Sequence, residues 1–405
     1  MTSVRALYDS AHGIVSAYER HLSAAAMVVG FGLDSLTFGR VDRPAANIVF
    51  GAYLAIAFAA IVLAHNVQQR MDRRVARIQK QIAMQSSLRG ALNRGGANVP
   101  TPDDTQALPP ARTKLDQLFE WLPVATQFAL GGLWSGFLVF YGRSAALAAS
   151  WPFILLLALF LVGNEVFRRY RSRLVFTALL FFFALYSYAI FVVPVFTKTI
   201  GKFTFLGSGV LAVLAFYFFL QVLALAGRER YRQSRWKIVG GAAAILAVMN
   251  LFYLTRILPP LPLAAADTGI YYDVKHKGDS YIVSGETEPW YVKAGFALPT
   301  MRLTAGQPLY LYAAVFAPIK LATRVSHTWQ WYDPARKHWM TQSIVSFSIN
   351  GGRDGGYRAY SIKKNPKPGE WRVNVESIDH RLIARVKFFV QRVAARVPTV
   401  TQTLN

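Results

Sequence analysis

Three groups of side chains in this chain of 405 residues have the types and spacing to do chemistry. The first is Asp34, an acid inside an apolar run, followed within nine residues by Arg40, Asp42 and Arg43. An ionised carboxylate near hydrocarbon is costly, so it points to a proton or ion role or to a partner. Arg40 can supply that partner at the membrane interface, and the spacing favours simple pairing of Asp34 with Arg40. The second group is Asn164-Glu165, closing another apolar run beside Arg168 and Arg169, where a helix-end salt bridge is expected. One acid at each face, with no chain of acids between, is poor material for a transporter. The third group is basic and aromatic. By strand alternation Arg358 and Tyr360 share one face, and Lys363, Lys364, Lys367 and Arg372 follow closely. A guanidinium beside an aromatic ring suits a phosphate on a sugar or headgroup.

Other candidates carry less. His327 shares a strand face with Val325, Trp329 and Trp331, which is the setting of a hydrogen-bonded core histidine rather than a ligand. The seven histidines show no zinc-ligand spacing, and with no cysteine there is neither a thiolate metal site nor a thiol nucleophile. Gly278-Asp-Ser280 has the outline of a hydrolase nucleophile turn but lacks partners and reads as a hairpin. Asp103-Asp104, in a Pro-rich stretch, reads as a solvated pair. There is no Gly-x-Ser-x-Gly and no phosphate-binding glycine loop, so nothing points to catalytic residues, a metal or a cofactor.

The elements that position these groups change character once along the chain. Ile238 to Leu254 holds no charge, and at about 1.5 Å per residue it approaches the roughly 30 Å of a bilayer core. Pro259, Pro260 and Pro262 then stop the helix. Before this span, hydropathy predicts six others: Leu22 to Phe38, Ala45 to Ala64, Leu122 to Tyr141, Ala145 to Phe167, Leu174 to Phe196 and Phe205 to Ala226. Seven spans in an α-helical membrane bundle are thus expected, with a short interfacial helix over residues 1–21. The net charge of +24 does not imply nucleic acid, because its distribution follows topology. Twenty Lys and Arg lie in alternate loops and the N-terminus, against five in the opposite loops. The positive-inside rule then sets the N-terminus in the cytosol and the C-terminal domain outside.

Residues 65–121 read as a basic helical arm followed by a Pro- and Gly-rich linker. Val67, Met71, Val75, Ile78 and Ile82 line one face of the arm, long enough for a two-heptad coiled coil. Gly132-x-x-x-Gly136 and Ala26-x-x-x-Gly30 permit close helix packing, and a homo-oligomer is a further option. After a hinge at 259–265 the period becomes two. Strands are expected at Leu309 to Phe316, Thr323 to Tyr332, Trp339 to Ile349, Tyr357 to Lys363, Trp371 to Glu376 and Leu382 to Val390. Two more are expected between Gly269 and Phe296, giving an all-β, sandwich-like domain over 266–395 and a tail at 396–405.

Several motifs occur in a consistent order: Leu33-Asp-Ser-Leu-Thr-Phe-Gly-Arg-Val-Asp42, Asn164-Glu165, Tyr186-Ser-Tyr188 with Pro194 and Gly201 beyond it, and Pro259-Pro-Leu-Pro-Leu263. In the outer half come His327-Thr-Trp329, Tyr357-Arg-Ala-Tyr-Ser361 and Pro368-Gly-Glu-Trp-Arg-Val373. Together these resemble bacterial multi-pass inner-membrane proteins that end in the module known as domain of unknown function 2914. Similar proteins often carry Trp after the strand arginine, where this chain has Ala359-Tyr360. The resemblance implies architecture and no activity.

Residues 256–405 hold 20 Lys and Arg against 10 Asp and Glu. Such a balance on an outward domain implies anionic neighbours: lipid headgroups, lipopolysaccharide or acidic glycans. The expected function is therefore a membrane-anchored binding or scaffold protein of the envelope, with Arg358, Tyr360, Lys363 and Arg372 as ligand residues. The alternative is an enzyme or transporter acting on a lipid-linked substrate in the bundle, near Asp34, Arg40 and Tyr188.

Overall fold

A computed structural model describes residues 44–94, 122–144, 147–166, 174–260, 262–278, 280–287, 289–293, 297–318, 321–352 and 355–404. Six helices come first among them: α1 (Pro44–Arg94), α2 (Leu122–Ser144), α3 (Leu147–Val166), α4 (Leu174–Thr197), α5 (Lys202–Ala226) and α6 (Arg228–Leu254). Their shared core is aromatic. Phe50 of α1 stacks on Phe137 of α2 with ring centroids 5.4 Å apart, and Trp134 stacks on Phe183 of α4 at 5.5 Å. Glycine makes the first contact possible, since a Cβ on Gly136 would lie 2.3 Å from the Phe50 ring and one on Gly132 2.6 Å from Tyr53. The Gly-x-x-x-Gly pair thus serves packing within the chain.

Four helices are long and apolar enough to cross a membrane: α1 through Ala46–Gln85, then α4, α5 and α6. The seven expected spans are not supported. Leu22 to Phe38 lies outside the described residues. In α2, Thr126, Gln127, Ser135 and the glycines dilute the apolar run, and in α3 the apolar stretch among the described residues is the shorter Ala149–Gly163.

After α6 the chain forms eleven strands among the described residues: β1 (Ala264–Tyr271), β2 (Asp273–Lys277), β3 (Ser280–Gly285), β4 (Thr300–Leu303), β5 (Leu309–Phe316), β6 (Ala322–Asp333), β7 (His338–Asn350), β8 (Tyr357–Lys363), β9 (Gly369–Ser377), β10 (Leu382–Arg392) and β11 (Val400–Leu404), with one helical turn, α7 (Trp290–Lys293). They make three sheets, ordered β1-β5-β8, β4-β10-β9-β6-β7 and β11-β3-β2. The sheet with β5 is the middle layer. Leu309, Leu311, Ala313 and Val315 point into a core with Trp329, Trp371, Val373 and Phe388 of the five-stranded sheet. Tyr312 and Ala314 point the other way, onto Val274 and Val283 of the third sheet. A strand covered on both faces must be apolar throughout, which is why Leu-Tyr-Leu-Tyr-Ala-Ala-Val-Phe shows no polar alternation. The first two layers fit the expected sandwich. The third was not foreseen: residues 396–405, read as a tail, contain β11, whose Val400 to Leu404 pair antiparallel with Gly285 to Tyr281 of β3.

Candidate ligand-binding face

The outer face of the five-stranded sheet is built by period-two alternation in β6, β9 and β10. Inward go Val325, Trp329, Trp371, Val373, Phe388 and Val390; outward go Gln330, Arg372 and Lys387, which stand opposite one another in register. The Arg372 guanidinium lies 4.3 Å from the centre of the Trp339 ring, supplied by β7, and the Lys387 ammonium lies 6.0 Å from the same ring. Tyr332 extends the surface, its ring 5.3 Å from Trp339. Arg372 Nε donates to Gln330 Oε1 at 2.7 Å, which helps hold the guanidinium against the indole. The two terminal nitrogens of a guanidinium are the pair that grips a phosphate or carboxylate in bidentate fashion.

One row closer to the helices, Arg385 Nε donates to Asn374 Oδ1 at 2.7 Å, and Asn374 Nδ2 donates to Glu376 Oε1 at 3.1 Å. Thr328 Oγ1 donates to the other oxygen of Glu376 at 3.2 Å. These bonds, two across strands and one along β9, stiffen the face. Burial, and next the charge of Arg385, pull the Arg372 guanidinium below its ordinary pKa range. Glu376 and Glu370 act in the opposite direction, so the desolvated guanidinium sits among charges of both signs.

The four residues expected to form the ligand site do not come together. β8 and β9 are consecutive in the chain but belong to different sheets, because β8 pairs with β5 while β9 pairs with β6 and β10. Arg358 and Tyr360 do share a face, but it looks into the gap beneath the third sheet. There Tyr281 OH donates to the Arg358 carbonyl at 3.4 Å, and Tyr360 packs on Tyr281 and Tyr310. Lys363 points to the other side of β8, its ammonium 5.8 Å from the Trp371 ring and 3.4 Å from Ser343 Oγ. Only Arg372 reaches the open face. Trp339, Lys387, Gln330 and Arg385 are the residues the sequence reading missed; alternation turns each outward, but only the strand order makes them neighbours.

Within the helices, Tyr188 is a packing residue. Its ring lies 6.0 Å from Phe50 and 5.0 Å from Phe191, and its hydroxyl donates to the Asn47 carbonyl at 3.4 Å. Asn164 and Glu165 fall in the last turn of α3, with side chains outside the described set. Asp34, Arg40 and Asp42 lie outside the described residues altogether. His327 is a core residue as expected: it is 1% exposed and bonded through Nδ1 to Ser361 Oγ at 3.0 Å.

A further missed residue, Arg381 in the β9–β10 turn, joins the two halves of the protein. It is buried, and its guanidinium donates to the carbonyls of Leu258 at 3.1 Å and Tyr253 at 2.8 Å at the end of α6. The turn therefore sits on the helix bundle, and the strands run away from it.

The architecture defines a class: an apolar helical bundle that carries a layered β module on one end. Residues 322–390, from β6 into β10, match the family described as "Protein of unknown function (DUF2914)", so the C-terminal module is of the type its motifs suggested. No curated protein matches. Among solved structures, an immunoglobulin-like protein from Pseudomonas aeruginosa is 14% identical, with 32% of this chain and 96% of that one covered and a TM-score of 0.19. A β-glucosidase from Listeria innocua is 12% identical, covering 29% of this chain and 17% of its own, with a TM-score of 0.17. An alkylpurine DNA glycosylase from Pseudomonas fluorescens, bound to DNA containing an abasic site analogue, is 10% identical over 70% and 84%, with a TM-score of 0.19. Likeness at this level transfers nothing to the present chain.

Proposed function

We propose that this protein is a membrane-anchored binding or scaffold protein of the bacterial envelope, and that the outer face of its five-stranded sheet takes an anionic ligand. The observation that carries this reading is Arg372 and Lys387 converging on one Trp339 ring, with Gln330 and Tyr332 alongside. A flat aromatic offers a sugar ring an apolar surface, and the two cations offer its phosphate or carboxylate a charge-assisted grip.

Position favours two ligand classes of the three expected. Arg372 stands five residues along β9 from Ser377, which begins the turn seated on the bundle. At about 3.3 Å per residue, that is roughly 17 Å along the strand. Headgroups of the protein's own bilayer lie at the wrong height. A lipopolysaccharide or an acidic glycan reaching the module from outside meets the face directly.

The test uses the full protein in neutral nanodiscs, with lipopolysaccharide as ligand and uncharged dextran as control. Lipopolysaccharide should bind, weaken as salt screens the charges, and bind less to the Arg372→Ala, Lys387→Ala double variant. Equal binding by a folded double variant, or equal binding of dextran, would rule the face out.

A further inference from the structure

The arm of α1 carries an apolar seam that nothing among the described residues covers. Met71, Val75, Ile78 and Ile82 are 43%, 53%, 48% and 59% exposed. Their spacing of four, three and four is that of successive d, a, d and a positions in a heptad, with β-branched Val75 and Ile82 at a.

Three features say what belongs on the seam. The first is height. The bundle ends at the α5–α6 turn, where His65 Nε2 donates to the Gly227 carbonyl at 2.9 Å and Asp72 pairs with Arg230 at 3.5 Å. α6 stays charged from Arg228 to Lys237 before its apolar run begins at Ile238. Arg230 is thus about 12 Å short of that run, and the arm continues for about 35 Å beyond Met71. Because α1 is one unbroken helix from Pro44 to Arg94, the protein's own bilayer cannot fold up against the seam.

The second feature is charge. In this register Arg70 and Arg77 take position c, and Arg73 and Lys80 take position f, all on the side away from the seam. At the flanks, Arg74 at g would face Gln79 at e of a parallel partner, so two basic arms can meet without like charges in contact. The third feature is orientation. Two copies in one membrane are parallel and at equal height, which brings identical residues level, as a parallel coiled coil requires. A seam of two heptads is short for association in solution, but confinement to a membrane raises the effective concentration.

We propose that the arm pairs with the arm of a second copy of this chain, in parallel, through Met71, Val75, Ile78 and Ile82. The chain has no cysteine, so single cysteines report contacts without background. In native membranes containing full-length protein, Val75→Cys, Ile78→Cys and Ile82→Cys should oxidise to disulfide-linked dimers. Arg73→Cys, Arg77→Cys and Lys80→Cys should not, because a disulfide needs Cα atoms within about 7 Å. Adding Ile78→Lys should reduce the Val75→Cys dimer severalfold. Equal cross-linking at all six positions, none at any of them, or adducts of a mass other than twice the chain would overturn the proposal. The last result would instead give the seam a different partner.

Discussion

The Arg381 guanidinium lies 3.7 Å from the centre of the Tyr253 ring while donating to the Tyr253 carbonyl, so one side chain of the β module caps the last turn of α6 twice. Phe205 stacks on the other side of the assembly, its ring 3.9 Å from Tyr253. A helix end leaves carbonyls without partners, and a cation there also meets the favourable end of the helix dipole. Arg381→Ala should therefore cost about 1–3 kcal/mol, chiefly at the Leu258 carbonyl, which loses its donor, because the Tyr253 carbonyl keeps the Arg256 N–H at 3.2 Å. The readouts are the thermal midpoint of the detergent-solubilised protein and protease cleavage across 258–263, both of which should worsen. Arg381→Lys should recover little, because a single ammonium cannot reproduce the fork. Unchanged cleavage in Arg381→Ala would mean that the proline hinge alone holds the module.

Packing of α1 on α2 gives a second prediction. A Cβ at Gly136 would lie 2.3 Å from the Phe50 ring, whereas one at Gly51, on α1, meets nothing within 4 Å. Gly136→Ala should lower stability by about 1–3 kcal/mol, the usual penalty of overpacking, while Gly51→Ala should be neutral or slightly stabilising as a helix substitution. Thermal midpoints of the two variants in one detergent decide the matter.

His327 yields a pH prediction. Trp329 Nε1 donates to Ser361 Oγ at 2.9 Å, and the same oxygen lies 3.0 Å from His327 Nδ1, so the ring is hydrogen-bonded within the core. Burial pushes the pKa of His327 from 6.5 down to about 4. The unfolded chain therefore takes up a proton below about 6.5 that the folded chain refuses until about 4. This contribution to stability is fully present above pH 6.5 and is lost progressively as pH falls to 4, by about 3 kcal/mol in all. His327→Gln should flatten the fall in thermal midpoint between pH 7 and 4.5. A variant with the wild-type slope would mean that other groups drive it.

Much of the module could be read from the chain, because alternation is local. Trp371-Arg-Val-Asn-Val-Glu turns Trp371, Val373 and Val375 to the core as its pattern requires, and His327 falls among core residues. The ligand site could not be read, because it depends on which strands pair. Arg358 and Arg372 are separated by a short loop yet end in different sheets, while Arg372 and Trp339 are far apart in the chain and touch. β11 escaped notice for a different reason: Val-Thr-Gln-Thr-Leu is an edge strand, exposed over most of its length, and carries no apolar alternation. Arg381 sits in a turn with no pattern at all, and only the docked helix end gives it meaning.

Orientation can be argued without counting spans. The β module sits on the bundle end formed by Tyr253, Leu258 and the α4–α5 connection, where Lys198, Lys202 and Arg256 are the nearby cations of the helical half among the described residues. The opposite end, marked by the contact of His65 with Gly227, carries the arm with Arg70, Arg73, Arg74, Arg77 and Lys80, and α6 adds Arg228, Arg230, Arg232, Arg235 and Lys237. Basic segments are retained on the cytosolic side because they resist translocation. The prediction is that the arm is cytosolic and the module external, whichever of the shorter helices cross. A reporter active only outside the cytosol should work when fused after Asn405 and fail when fused after Gly96. Activity at Gly96 would reverse the orientation, and with it the argument that an envelope glycan meets the Arg372 face, since that face would then look into the cytosol.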